Sequence, residues 1–148
     1  MKFNLLKGAV GAWMLLLIVS LLGCGSEREQ TPEEVAVAFF AAIYVDEDLD
    51  KARALAGPQL REVLDQYQSL VNIRRNLIVL AVNNPELTVM DTTADFFKKV
   101  ATKARVQVHF KGTHDDRPRE ADRSVMVEKL SNGWKVVEII TDRRKSGG

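Results

Sequence analysis

Apolar residues follow two different periods along this chain, and the change between them falls near Pro85. Val35, Phe39 and Ile43 recur every four residues, with Ala36, Ala38, Ala41 and Ala42 as small neighbours. Residues one turn apart stack on one side of a helix, so this spacing predicts a helix with a broad apolar face. Thr31-Pro32-Glu33-Glu34 supplies its start, with Thr31 as cap, Pro32 at the first helical position and Glu34 completing a capping box. A second helix is expected over "DEDLDKARALAG", with Leu49, Ala52 and Leu55 on one side and Gly57 as stop signal. Pro58 opens a third. Its stripe is Leu60, Val63, Leu64, Tyr67 and Val71, with room to run on through "RRNLIVLAV" until Asn83-Asn84-Pro85 ends it.

Beyond Pro85 the period shortens toward two. "ELTVM", Glu86 to Met90, is a candidate strand, while "DTTADFFKKVA" suits a short helix or a curved strand equally. In "ARVQVHFKG" the alternation is plain: Val106, Val108 and Phe110 share one face, Arg105, Gln107, His109 and Lys111 the other. "GTHDDRPREADR" reads as a polar connection. "SVMVEKL" and "GWKVVEIIT" then pair around Ser131-Asn132-Gly133, a favourable hairpin turn. Helices first and an antiparallel meander second predict an α+β fold, with the N-terminal helices covering one face of the sheet. The last strand is apolar on both sides, Trp134, Val136 and Ile140 against Val137 and Ile139. One side is expected to meet the helices and the other is open to a partner subunit.

The N-terminal segment has a pattern of its own. Lys2 and Lys7 precede an apolar run from Ala9 to Leu22 that contains no acid. At about fourteen residues the run is short of the roughly twenty that span a bilayer, and it fits the apolar core of a secretory signal. Leu21-Leu22-Gly23-Cys24 at its end resembles the bacterial lipobox, although Leu22 is larger than the usual alanine or serine. That resemblance implies cleavage between Gly23 and Cys24, a diacylglyceryl group on the Cys24 sulfur, and acylation of the new N-terminus. A single acyl chain anchors marginally and two or more anchor stably. The expected organisation is a signal peptide over 1–23, a lipidated tether over 24–30, a domain over 31–142 and a charged tail over 143–148. In lipoproteins an aspartate after the cysteine favours inner-membrane retention. Gly25 therefore implies the periplasmic side of the outer membrane, or the extracytoplasmic face of the cell membrane in a Gram-positive host.

Composition narrows the function classes. The 148 residues contain one cysteine, so with Cys24 modified the domain has neither a bridge nor a free thiol, and its stability rests on its core. Without Lys2 and Lys7, 19 of the 21 basic residues face 20 acids, a formal balance of −1. Such a mixed surface lacks the concentrated basic footprint of a nucleic-acid binder.

The order "TPEEVAVAFFAAIYVDEDLDKARALAGPQLREVL", then strands ending in "NGWKVVEI", resembles the nuclear transport factor 2-like, cystatin-like superfamily. The small bacterial lipoproteins within it are the nearest in character. Asp48-Leu49-Asp50-Lys51-Ala52 matches its acidic turn before the second helix, and Gly133-Trp134-Lys135 its closing strand. The resemblance implies a curved sheet wrapped around the first helix, a cone with room for a pocket at its open end. Some members are isomerases, dehydratases or epoxide hydrolases with Asp, His or Tyr inside the cone; others bind ligands or partners.

Catalysis in such a cone needs a general base with a supporting donor. Candidate pocket residues are Tyr44, Tyr67, Asp91, Asp95 and His109. His109 lies on the polar side of its strand, the aspartates flank turns, the tyrosines adjoin apolar stripes, and no pair has a spacing that demands chemistry. His114-Asp115-Asp116 sits among Lys111, Arg117, Arg119 and Arg123, which disfavour a cation, so no metal and no cofactor are expected. The reading is a non-enzymatic envelope lipoprotein that presents a small domain to a ligand or partner, with a homodimer or an envelope protein as candidate partners. The competing reading is a small-molecule enzyme or carrier using the cone.

Overall fold

The first helix starts where the capping box puts it. Thr31 Oγ1 accepts the Glu34 N–H at 3.2 Å, and Glu34 Oε2 accepts the Thr31 N–H at 3.0 Å. Helix α1 runs over Pro32–Tyr44. The structure, a computed structural model, describes residues 28–92 and 102–141. Gly23, Cys24, Asp95, the leader, the ambiguous stretch 93–101 and the tail 143–148 lie outside the described residues.

Helix α2, Leu49–Leu55, is capped by Asp48, whose Oδ1 accepts the Lys51 N–H at 2.9 Å. It ends because Ala56 turns extended and forms a parallel bridge with Val136, while the Gly57 N–H donates to Val136 O at 2.8 Å. Gly57 eases that close approach: a Cβ there would lie 3.0 Å from Val137 Cγ1, which would have to shift slightly. Helix α3 is Pro58–Tyr67, with Leu60 and Leu64 buried.

The third helix is shorter than its apolar stripe suggests. Gln68 adopts a left-handed φ of 57°, which breaks the helical hydrogen-bond ladder, and Val71 is left 58 % exposed. Ser69 then caps a single turn, α4 (Leu70–Asn72), which passes into a π-helical turn over Ile73–Leu77. Asn83-Asn84-Pro85 does not end a helix. It opens strand β1 (Asn83–Thr92), where Asn84 has a φ of 42° and one extra residue is accommodated before Glu86. Proline has no N–H to give a ladder and is tolerated at such a bulge on an edge strand.

Strands β2 (Lys103–His114), β3 (Arg117–Leu130) and β4 (Gly133–Ile140) complete an antiparallel sheet in the order β1-β2-β3-β4. The expected polar connection over "GTHDDRPREADR" is mostly strand: β2 and β3 stay in register to His114 and Arg117. Asp115 and Asp116 make the turn, with φ of 49° and 59°. Two left-handed residues define a turn whose twist matches the flanking strands. Charged residues on both faces of this ribbon hide its period of two.

Helix α1 touches all four strands, and the sheet curves around it. Phe39, Phe40, Ile43 and Tyr44 meet Val106, Val108, Phe110, Val125, Val127 and Val136 in one buried core. A bulge between Met126 and Val127 shifts the pairing of β4 by one residue. Ile139 consequently stands opposite Val125 on the core side, and Ile140 opposite Ser124 on the outer side, the reverse of strict alternation from Trp134.

Gly112 fits a crossing point. A Cβ there would lie 2.6 Å from Asn83 O and 2.8 Å from Val82 Cγ2. Gly112→Ala is therefore expected to destabilise the fold by about 1–3 kcal/mol, the range for overpacking. A lowered urea midpoint with an unchanged slope is the measurement that checks it.

Candidate functional site

The end of α1 is tied to the chain that leaves the π-helical turn. Tyr44, 2 % exposed at the end of α1, donates its hydroxyl to Leu80 O at 2.8 Å and meets Phe110 edge-to-face at 5.3 Å. The Arg74 guanidinium lies 5.2 Å from the Tyr44 ring centroid and donates through Nε to Ile43 O at 2.9 Å. Arg74 also pairs with Glu47 Oε1 at 2.9 Å. The last carbonyls of a helix have no partner within it, and a cation there also complements the helix dipole. From β3, Arg123 donates through Nε to Ile78 O at 2.8 Å and through Nη2 to Val79 O. These ties hold residues 78–80 across the cone, with Val79 at a left-handed φ of 54°. Burial pushes the Tyr44 hydroxyl well above the ordinary phenol range, with Arg123 and Arg74 pulling the other way. Tyr44 is a buried donor to the backbone.

His109 lies on the outer face of the sheet, opposite the core. Its register partners are Thr88 on β1 and Asp122 on β3. The imidazole Nδ1–H donates to Asp122 Oδ1 at 2.7 Å, because an ionised carboxylate can only accept. Gln107 Nε2 donates to Asp122 Oδ2 at 3.3 Å, and Glu120 Oε2 lies 3.8 Å from His109 Nε2. Asp91 is exposed and in register with Gln107 on the same face. Tyr67 sits half-buried at the end of α3 against the core.

The sequence candidates therefore divide: Tyr44 inside, His109 and Asp91 outside, Tyr67 at a helix end. The outer pair can hold an imidazole in one tautomer, with Thr88 opposite it on β1. Sequence reasoning placed Asp122 and Arg123 in a solvated loop. The alternation of Ser124, Asp122 and Glu120 against Val125, Arg123 and Ala121 is the signal that could have placed them on opposite faces of β3.

A groove of about 420 Å³ opens on the outer face beside the start of α3. Leu60, Met126, Leu130 and Val137 line it together with Gly57 and Pro58, and Lys103 and Glu128 pair at 3.3 Å on its wall. Among the described residues no group of three or more His, Cys, Asp or Glu side chains is arranged to hold a metal ion.

Tyr44→Phe leaves Leu80 O buried without its donor, and such a loss costs about 1–3 kcal/mol. The pH dependence has a definite sign. An unfolded tyrosine ionises near pH 10 while folded Tyr44 keeps its proton, so its contribution is complete below about pH 10 and declines above it. The decline is at most about 1.4 kcal/mol per pH unit. Urea titrations at neutral and alkaline pH are expected to show a lower midpoint for Tyr44→Phe at neutrality and a shallower alkaline loss than in the wild type.

No protein-family model and no curated protein matches the chain. Among solved structures, a designed nuclear transport factor 2-like protein, a variant of Rd1NTF2_05, is similar with a TM-score of 0.50 and 13 % identity. The match covers 70 % of this chain and 90 % of that one. At this identity the likeness concerns the fold alone. Together with the helix-filled curved sheet it gives this chain a nuclear transport factor 2-like α+β cone.

Proposed function

We propose that the chain is a non-enzymatic envelope lipoprotein, cut before Cys24 and acylated there, whose α+β domain binds a ligand or a protein partner outside the cytoplasm. The observation that carries the reading is the boundary at Cys24. A lysine-flanked apolar run ends at Leu21-Leu22-Gly23, the only thiol of the chain follows, and the sequence turns polar at once. The capped helix α1 begins just beyond, at Pro32. No described helix is long and apolar enough to cross a membrane.

Support for a binding rather than a catalytic role comes from the layout of the candidate side chains. Tyr44, Arg74 and Arg123 donate to backbone carbonyls. The His109–Asp122 pair faces outward. A ligand entering beside these ties would meet Ile78 and Leu80 packed in the core, 0 % and 2 % exposed. The outer surfaces are free of that obstacle, and an envelope protein or a second copy of the chain is the partner class they suit.

Metabolic labelling with a fatty-acid probe is expected to tag the wild type in the membrane fraction. Cys24→Ser should carry no label and remain as the uncut precursor. Label on the variant, or none on the wild type, overturns the anchor.

A further inference from the structure

We infer that the anchored domain stands on the bilayer by one end, with the β3–β4 turn and the Trp134 indole at the lipid headgroups. The inference rests on the lipid anchor proposed above and adds the surface that the membrane meets. Glu29 Oε1 pairs with Lys129 Nζ at 3.0 Å, which places the end of the tether beside that residue. Lys129 stands opposite Trp134 in the sheet, and Leu130 opposite Gly133. The Lys129 N–H also donates to Thr102 O at 2.8 Å. Glu29, Thr102, the turn at Ser131-Asn132 and Trp134 therefore share one end of the molecule.

Chain length then limits the geometry. From Cys24 to Glu29 an extended chain spans at most about 17 Å, at roughly 3.3–3.6 Å per residue. Part of that length is taken up by the headgroup layer, about 5–7 Å thick on each side of the hydrocarbon. The Lys129 end is left within reach of the surface. Strand β2, with 12 residues, carries the Asp115-Asp116 turn about 40 Å away at the opposite end.

Several charges of the tethered end pair within the domain, and Lys135 donates to Ala54 O. Lys129 pairs with Glu29, Lys103 with Glu128 and Arg28 with Glu34. A polybasic attraction to anionic lipid is screened by salt, whereas a covalent tether is not. Trp134 packs on the core while remaining partly accessible, and tryptophan suits the polar–apolar boundary of a bilayer. The chain has 2 tryptophans, and removal of the leader takes Trp13 away, so Trp134 reports alone.

The test uses the purified lipidated chain in phosphatidylethanolamine–phosphatidylglycerol vesicles doped with a headgroup spin-labelled lipid. Co-flotation reports the anchor, and quenching of tryptophan fluorescence reports the orientation. The wild type is expected to float and to be quenched equally at low and high salt. The double variant Trp134→Phe/Arg119→Trp, with its indole near the far turn, is expected to float unquenched. A floating wild type without quenching, a floating double variant quenched as strongly as the wild type, or quenching released by salt overturns the orientation and leaves the anchor standing. Failure of the wild type to float overturns the anchor itself.

Discussion

Burying one aromatic face of α1 against a curved sheet is the interaction on which the rest of this structure depends. Phe40 and Tyr44 both meet the edge of Phe110, at centroid distances of 4.9 and 5.3 Å and interplanar angles of 78° and 70°. Edge-to-face pairs contribute about 0.5–1.5 kcal/mol beyond the area they bury. Their greater effect here is positional. With Phe110 fixed under α1, its strand neighbour Gly112 comes beneath the crossing chain at Val82–Pro85, and the Tyr44 hydroxyl is brought to Leu80. The helix thus sets where the connecting segment passes.

The ties to residues 78–80 follow from the same packing. A segment leaving a π-helical turn has carbonyls that no regular ladder satisfies, and burying them without donors would cost more than their apolar neighbours return. Arg123 and Tyr44 supply those donors from two separate elements, and Arg74 satisfies Ile43 O at the end of α1. Polar side chains that could have served a substrate are employed in holding backbone. Among the described residues no buried side-chain polar atom is left without a partner.

The parts legible in the sequence were those in which local signals agree. Thr31-Pro32-Glu33-Glu34 marked a helix start on cap, proline and carboxylate together, and Val106–Val108–Phe110 marked a strand by alternation. Where burial does not impose a period, the reading failed. Residues 117–120 are all exposed, so nothing in their polarity separates a strand from a loop. Nor could the bulge that turns Ile139 inward be anticipated, because it depends on pairing between distant residues. The helix after Pro58 was read too long because the end at Gln68 is a backbone conformation with no glycine to announce it. Tyr44 and Arg74 are neighbours only through tertiary packing, so their joint role had no sequence signature.

The two borders of the sheet differ from its middle in how they meet the outside. Along β4, Ala56 and Gly57 occupy the hydrogen-bonding groups of Val136. Along β1, irregularities beside Asn84 and before Asp91, with Pro85 between them, interrupt the ladder that a neighbouring strand would need. Open, regular borders invite chains to add to one another without limit. Molecules crowded on a common plane would meet often and in similar poses, the circumstance in which such polymerisation starts most readily. On the proposed anchor, each border thus carries at least one interruption to such addition.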